Sequence, residues 1–236
     1  MTSPTSAQIA ERHVALLARL RSAAERAGRD PDGFRILAVT KTFALPVVDA
    51  AIGAGLRAFA ENRVQEGLPK VAARPEIEWH LIGHLQSNKA RAALAGFGVI
   101  QSVDSLALLR RLEVLAADDD HRPALLLQVN VSGEPSKSGF AHEWFASQVR
   151  QRGELVGALE MLGHARVTGL MTIAAPDRDP APAFGELRRL RDALQQSLGR
   201  PLPELSMGMS ADAEVAVAEG ATLVRIGTAL FGPRQR

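Results

Sequence analysis

Eight short apolar runs recur along the chain with an amphipathic stretch between each pair, and this alternation constrains the fold more than any single residue does. The runs are residues 36–39, 58–60, 78–82, 99–103, 124–131, 167–173, 204–207 and 223–226. Helical patterns fill the intervals at 45–54, 63–73, 86–95, 105–117, 143–152, 183–198 and 211–219, and another precedes the first run at 6–27. Strands separated by helices pair in parallel, and eight of them close on themselves. The chain is therefore expected to be α/β, a single (β/α)8 TIM barrel with an additional N-terminal helix. Runs such as Ala124-Leu125-Leu126-Leu127 and Leu223-Val224 do not alternate, which suits strands covered on both faces. An open doubly wound sheet is the alternative architecture. The first helix is expected to bury Ile9, Val14, Leu16, Leu17 and Leu20. No linker divides the chain, so residues 1–236 are read as one domain, an ordinary length for such a barrel.

Composition narrows the chemistry. The chain has no Cys, which excludes disulfides, thiolate metal sites and a cysteine nucleophile, and no Tyr, which excludes a phenol as acid or base. Its net charge is +2 while its isoelectric point is about 9.5. The two agree because, without Cys or Tyr, only the amino terminus titrates between His and Lys. The high value is thus no sign of nucleic-acid binding. The first residues lack a basic stretch followed by an apolar one, and no apolar run reaches the length of a membrane span. A cytoplasmic monomer, with neither nucleic acid nor membrane as partner, is the expectation. Of the 28 basic residues only four are Lys, namely Lys41, Lys70, Lys89 and Lys137, so primary-amine chemistry has few candidates.

In barrels of this type functional groups gather at the carboxyl ends of the strands. Those positions hold Lys41, Asn62, Gly83-His84, Asp104, Asn130, Met171-Thr172, Ser206 to Ser210 and Arg225 to Thr228. Closure makes the first and last strands neighbours, which brings Lys41, Arg225 and the Gly227-Thr228 turn together. Ser210, Gly227 and Thr228 lie in the loops after the seventh and eighth strands, where such barrels frequently bind phosphate. Ser210 also reads as the N-cap of a helix starting at Ala211. Lys41 reads either as a rim lysine or as an amine activated by burial and by Arg225. A lysine amine, an anion cradle and a cationic partner are together what a pyridoxal phosphate (PLP) site needs. Without a cofactor, the same lysine suits a Schiff-base aldolase acting on a phosphorylated sugar. His80 is expected to be a satisfied barrel residue, Trp79 and Trp144 packing residues, Lys137 a loop residue, and Asp118-Asp119-Asp120 a solvated loop. Gly208 to Asp212 lacks the last glycine of a nucleophile elbow.

Several segments carry a resemblance from the first strand to the last. They are Leu37-Ala-Val-Thr-Lys-Thr42, Phe59-Ala-Glu-Asn-Arg-Val-Gln-Glu66 and Trp79-His-Leu-Ile-Gly-His-Leu-Gln-Ser-Asn-Lys89. Beyond these come Ser102-Val-Asp104, Asn130-Val-Ser132, Ser136-Lys-Ser-Gly139, Gly169-Leu-Met171, Leu205-Ser-Met-Gly-Met-Ser-Ala-Asp212 and Val224-Arg-Ile-Gly-Thr228. In these the chain resembles the pyridoxal phosphate homeostasis proteins, whose fold is similar to the barrel domain of alanine racemase. The resemblance implies PLP held as a Schiff base on Lys41, its phosphate on Ser210, Gly227 and Thr228, and Arg225 at the pyridine nitrogen. It also implies Asn62 and Met207 as pocket walls. His84 is carried only weakly.

The resemblance further implies a non-enzymatic PLP carrier and buffer in vitamin B6 and amino-acid homeostasis, with apo PLP-dependent enzymes as possible partners. An arginine at the ring nitrogen disfavours carbanion chemistry. Alanine racemases add a β-rich second domain and a tyrosine base. The chain contains no tyrosine, and with Arg236 as its last residue no second domain is expected. A PLP-dependent amino-acid racemase of low activity is the alternative.

Overall fold

The computed structural model describes residues 3–134 and 137–233, so Ser136 of the quoted Ser136–Gly139 motif lies outside the described residues. Its strands are β1 (Arg35–Val39), β2 (Ala58–Glu61), β3 (Glu78–Leu81), β4 (Val99–Val103), β5 (Ala124–Asn130), β6 (Phe140–Ala141), β7 (Arg166–Met171), β8 (Glu204–Ser206) and β9 (Leu223–Ile226). All pairings are parallel. The order β4-β3-β2-β1-β9-β8-β7-β5, with β4 also paired to β5, closes eight strands into a ring. The closed barrel is the expected one. Strand β6 stands outside the ring, with Phe140 opposite Val129 and Ala141 opposite Asn130. Two residues are too few to leave a periodic signal, and the sequence did not reveal it.

The helices are α1 (Ser6–Arg26), α2 (Leu45–Gly53), α3 (Val64–Ala73), α4 (Ala90–Gly96), α5 (Leu106–Asp118), α6 (His142–Gln151), α7 (Glu154–Glu160), α8 (Ala181–Leu198), α9 (Ala213–Ala218) and α10 (Thr228–Phe231). Thr5 caps α1 through a reciprocal pair with Gln8. Helix α1 buries Ile9, Leu16, Leu20, Ala23 and Ala24, but Val14 is 67% exposed. Val14 lies two positions from Leu16, about 200° around the helix, and so falls on the opposite face. Helix α7 was hidden because a left-handed Arg152 and Gly153 separate it from α6. Among the described residues no helix is long and apolar enough to cross a membrane.

Side chains leave the strands on two faces. Ala38, Phe59, Leu81, Ile100, Leu127 and Leu205 join the helices in the large outer core. Their neighbours of opposite parity form two small clusters made of strand residues and the residues just after them, around Leu37, Val39, Ala58 and Ala60, and around Leu126, Met171 and Leu223. These clusters occupy the barrel interior, as the period of two requires. The interior is not wholly apolar, for His80, Gln101, Ser206 and Arg225 are buried there as well. Trp79 is buried, its ring tilted against Phe59, and Trp144 stacks on Phe140, both as packing residues. The acidic run ends α5 at the surface, where Arg91 pairs with Asp118 and Asp119.

Helix α5 is tied to the start of β7 by one carboxylate. Glu113 accepts from the backbone N–H groups of Gly163, His164 and Ala165 at 2.7–3.3 Å. Burial alone would raise its carboxyl, but these donors and His164 outweigh it and hold Glu113 below its ordinary value. A lowered folded-state value means that the carboxylate stabilises the fold above the unfolded value near ~4.3 and that this contribution fades as pH falls through that range. Glu113→Gln is expected to cost about 1–3 kcal/mol near neutral pH. Urea titrations of both proteins should show the gap narrowing below pH ~4; a gap independent of pH would contradict the assignment.

Candidate functional site

Strand β1 ends in a turn that sets the direction of Lys41. The Phe43 N–H donates to the Thr40 carbonyl at 3.1 Å, placing Lys41 and Thr42 at the corners. Thr42 has φ +69, a left-handed conformation that turns usually reserve for glycine and that strains a β-branched residue. Phe43 fastens the far side of the turn by packing against Phe231 of α10, with ring centroids 5.2 Å apart. On the near side the Thr40 hydroxyl donates to Glu61 Oε1 at 2.7 Å. Lys70 Nζ, from α3, reaches the Thr40 carbonyl at 2.9 Å and Glu61 Oε1 at 2.6 Å. The side chain of Glu61 is fully buried. Thr40 is thus pinned by a buried ion pair, and the lysine beside it emerges at a fixed corner of the barrel mouth.

A cavity of about 280 Å³ opens there, lined by Val39, Lys41, Asn62, Ile82, Ile173, Met209, Ser210, Ala211, Arg225, Gly227 and Thr228. Six of the seven residues expected at the site meet in it: Lys41, Asn62, Ser210, Arg225, Gly227 and Thr228. Met207 does not. It is fully buried in the outer core, and Met209, two residues on, lines the cavity instead. Asn62 Oδ1 is buried with no hydrogen-bond partner among the described residues, an acceptor open to a ligand. Gly83 makes room for this wall, because a Cβ there would lie 2.0 Å from the Asn62 carbonyl oxygen.

Ser210 is not the cap it was expected to be. Helix α9 begins at Ala213 with Asp212 as its N-cap residue, and Asp212 Oδ1 instead accepts from the Met209 N–H at 2.6 Å. The Ser210 hydroxyl oxygen accepts from the Ala229 N–H at 3.2 Å. The N-cap residue of α10 is Gly227, which has no side chain to satisfy that first turn, so Ser210 supplies the acceptor from the neighbouring loop. This latch holds the loops after β8 and β9 together and leaves the Ser210 proton free to be donated into the cavity.

Arg225 forms the floor. It is 4% exposed, and burial, opposed by the charge of Asp212, pushes its guanidinium down to about 10. It still carries its charge at neutral pH. One nitrogen donates to Ser206 Oγ at 2.8 Å and another to the Thr172 carbonyl at 2.8 Å. His80 is buried and bonded on both ring nitrogens, as a satisfied barrel residue should be. His84 bonds Asp104 at 2.9 Å and is not among the lining residues. Lys137 Nζ is bound to Glu134 in its own loop and to the Ala174 carbonyl in the segment after β7.

The sequence reading missed the apolar walls Val39, Ile82 and Ile173 and the Glu61–Lys70 pair behind the lysine. Counting by two from Lys41 along β1 would have found Val39. Nothing local in α3 marks Lys70, which arrives from 30 positions away. Lys70→Met leaves Glu61 charged and buried without its cation, which is expected to cost about 3–5 kcal/mol. Glu61→Gln in the same chain should return part of that loss in urea unfolding; additive losses would mean that the pair is not coupled.

The arrangement of strands and mouth is shared with known proteins. Residues 13–235 match the alanine racemase N-terminal domain family. The pyridoxal phosphate homeostasis protein of Pseudomonas aeruginosa is 45% identical over 96% of each chain. That of Escherichia coli strain K12 is 39% identical over 92% of each. The structure of PipY from Synechococcus elongatus with PLP bound is 38% identical, superposes with a TM-score of 0.79, and is covered over its whole length by 95% of this chain. Alanine racemase from Corynebacterium glutamicum, at 17% identity and a TM-score of 0.69, shares the fold over 62% of its length. At these identities and coverages the chain belongs to the pyridoxal phosphate homeostasis protein family.

Proposed function

We propose that this chain is a PLP-binding protein, a non-enzymatic carrier and buffer in intracellular vitamin B6 and amino-acid homeostasis. The observation that carries the reading is the convergence of Lys41, Arg225, Ser210 and Thr228 on one cavity of a size that suits a small phosphorylated aldehyde. Lys41 Nζ is the amine that would hold the aldehyde carbon covalently. The Ser210 and Thr228 hydroxyls, with the Gly227 backbone, would take the phosphate. Asn62 offers its unpartnered carbonyl oxygen to the cofactor face. Bound PLP would supply an electron-withdrawing pyridine ring and a reactive aldehyde carbon.

Arg225 supports storage over catalysis in this reading. A guanidinium donates and does not accept, so it cannot keep a proton on the ring nitrogen, and the ring stays a weak electron sink. The chain also has no tyrosine to act as a second base. Both features favour a carrier over a racemase of low activity, for which His84 beside Asp104 would have to serve. A single PLP-binding domain spanning 1–236, a monomer in the cytoplasm that hands PLP to apoenzymes, completes the proposal.

Borohydride reduction of PLP-loaded protein followed by peptide mass mapping is expected to place the label on Lys41. Lys41→Ala should lose that label and keep its circular dichroism spectrum. Arg225→Glu should raise amino-acid turnover above the wild-type level. No visible absorbance band, and no label on any lysine, would overturn the PLP reading in favour of an aldolase acting on a phosphorylated sugar.

A further inference from the structure

Arg225 is one end of a hydrogen-bonded chain that crosses the barrel. Its guanidinium donates to Ser206 Oγ at 2.8 Å, and the Ser206 hydroxyl donates to Gln101 Oε1 at 2.6 Å. Gln101 Nε2 lies 2.8 Å from His80 Nδ1, and His80 Nε2 lies 2.9 Å from Glu78 Oε1. The residues come from β9, β8, β4 and β3, and Ser206, Gln101 and His80 are at most 1% exposed. At the far end Glu78 also meets Arg35, which reaches Glu204.

The two ends dictate the middle. A guanidinium can only donate, so Ser206 must accept from it and pass its own proton to Gln101. The Gln101 oxygen is thereby used, and its amide N–H turns to His80 Nδ1, which must be unprotonated. The imidazole proton then sits on Nε2 and faces Glu78. Glu78 can only accept: the His80 hydrogen bond, aided by Arg35 against burial, holds its carboxyl at about 2. Every bond points from Arg225 toward Glu78, so each polarises the next.

We infer that His80 is a positioning residue for the cofactor site, its Nε2–H tautomer fixing through Gln101 and Ser206 the orientation in which Arg225 meets the ring nitrogen of PLP. This rests on the proposed cofactor reading and adds to it a control point outside the cavity: neither His80 nor Gln101 lines it. His80→Asn keeps an acceptor near the position of Nδ1 and loses only the contact with Glu78. His80→Leu removes both contacts and leaves the Gln101 amide N–H without a partner. Gln101→Leu cuts the chain at its centre.

The test begins on cofactor-free, 15N-labelled protein. Long-range 1H–15N spectra are expected to show His80 protonated on Nε2 and not on Nδ1, and slowly exchanging Arg225 guanidinium protons. Gln101→Leu and His80→Leu should speed that exchange, with His80→Asn closer to wild type. After loading, the two leucine variants should weaken PLP binding on the order of tenfold and displace the cofactor absorbance maximum, while borohydride still labels Lys41. His80 protonated on Nδ1, or Arg225 exchange and cofactor absorbance unchanged in Gln101→Leu, would overturn the inference. Should His80→Leu fail to fold, His80→Asn and Gln101→Leu decide by the same readouts. Wild-type protein that takes up no PLP would overturn the cofactor reading, and His80's role toward the ring with it, whatever the cofactor-free spectra show.

Discussion

A guanidinium buried inside a barrel must be surrounded by acceptors, and much of the polar structure here can be traced to that demand. Arg225 stands on β9 with its side chain turned inward, and burial has already lowered its affinity for its proton. Thr172 offers a carbonyl and Ser206 a hydroxyl, both neutral, and among the described residues no carboxylate is bonded to the charge. The nearest anion reached through bonds is Glu78, three side chains further on. An arginine bonded directly to a carboxylate would have its charge cancelled at the cavity. Here Asp212 acts on the guanidinium through its charge, and the cavity floor stays cationic.

The lysine side of the site follows a different logic. Lys41 stands in a turn that its neighbours in sequence hold in place. Thr40 is pinned from β2 and α3, Thr42 sits in a strained left-handed conformation, and Phe43 is packed against α10. Strain at Thr42 persists only because three separate elements hold the turn. The buried Glu61–Lys70 pair is weak evidence of stability in itself. Its effect is one of register, since it joins β1, β2 and α3 at the level of the mouth.

How much of this was legible in the sequence depended on periodicity. The eight barrel strands declared themselves as apolar runs, and their ends marked Lys41, Asn62, Arg225 and Thr228 correctly for the cavity. Where one position decides the face, the reading was less secure. Met207 and Met209 differ by two residues, but the chain leaves the strand after Ser206, so alternation no longer tells which one faces the mouth. Ser210 looked like a helix cap because Ala211 to Glu219 is helical in composition, whereas the backbone takes two further residues to turn. Gln101 was hidden inside a short strand, Ser206 was marked only as a strand end, and the partners of both are distant in sequence. Hydrogen bonds of that kind carry no local signature.

The closing seam of the barrel has a consequence for biosynthesis. Leu37 of β1 lies in register with Arg225 of β9, so the lysine and arginine sides of the cavity come from parts of the chain far apart in sequence. A ribosome delivers the lysine long before the arginine, and Gly227 and Thr228 follow later still. No partial chain can therefore present the assembled pocket, however well its first strands have paired. Ligand capture becomes a report on completed folding: a molecule that needs both the amine and the guanidinium will be held by finished protein and ignored by nascent or truncated chains.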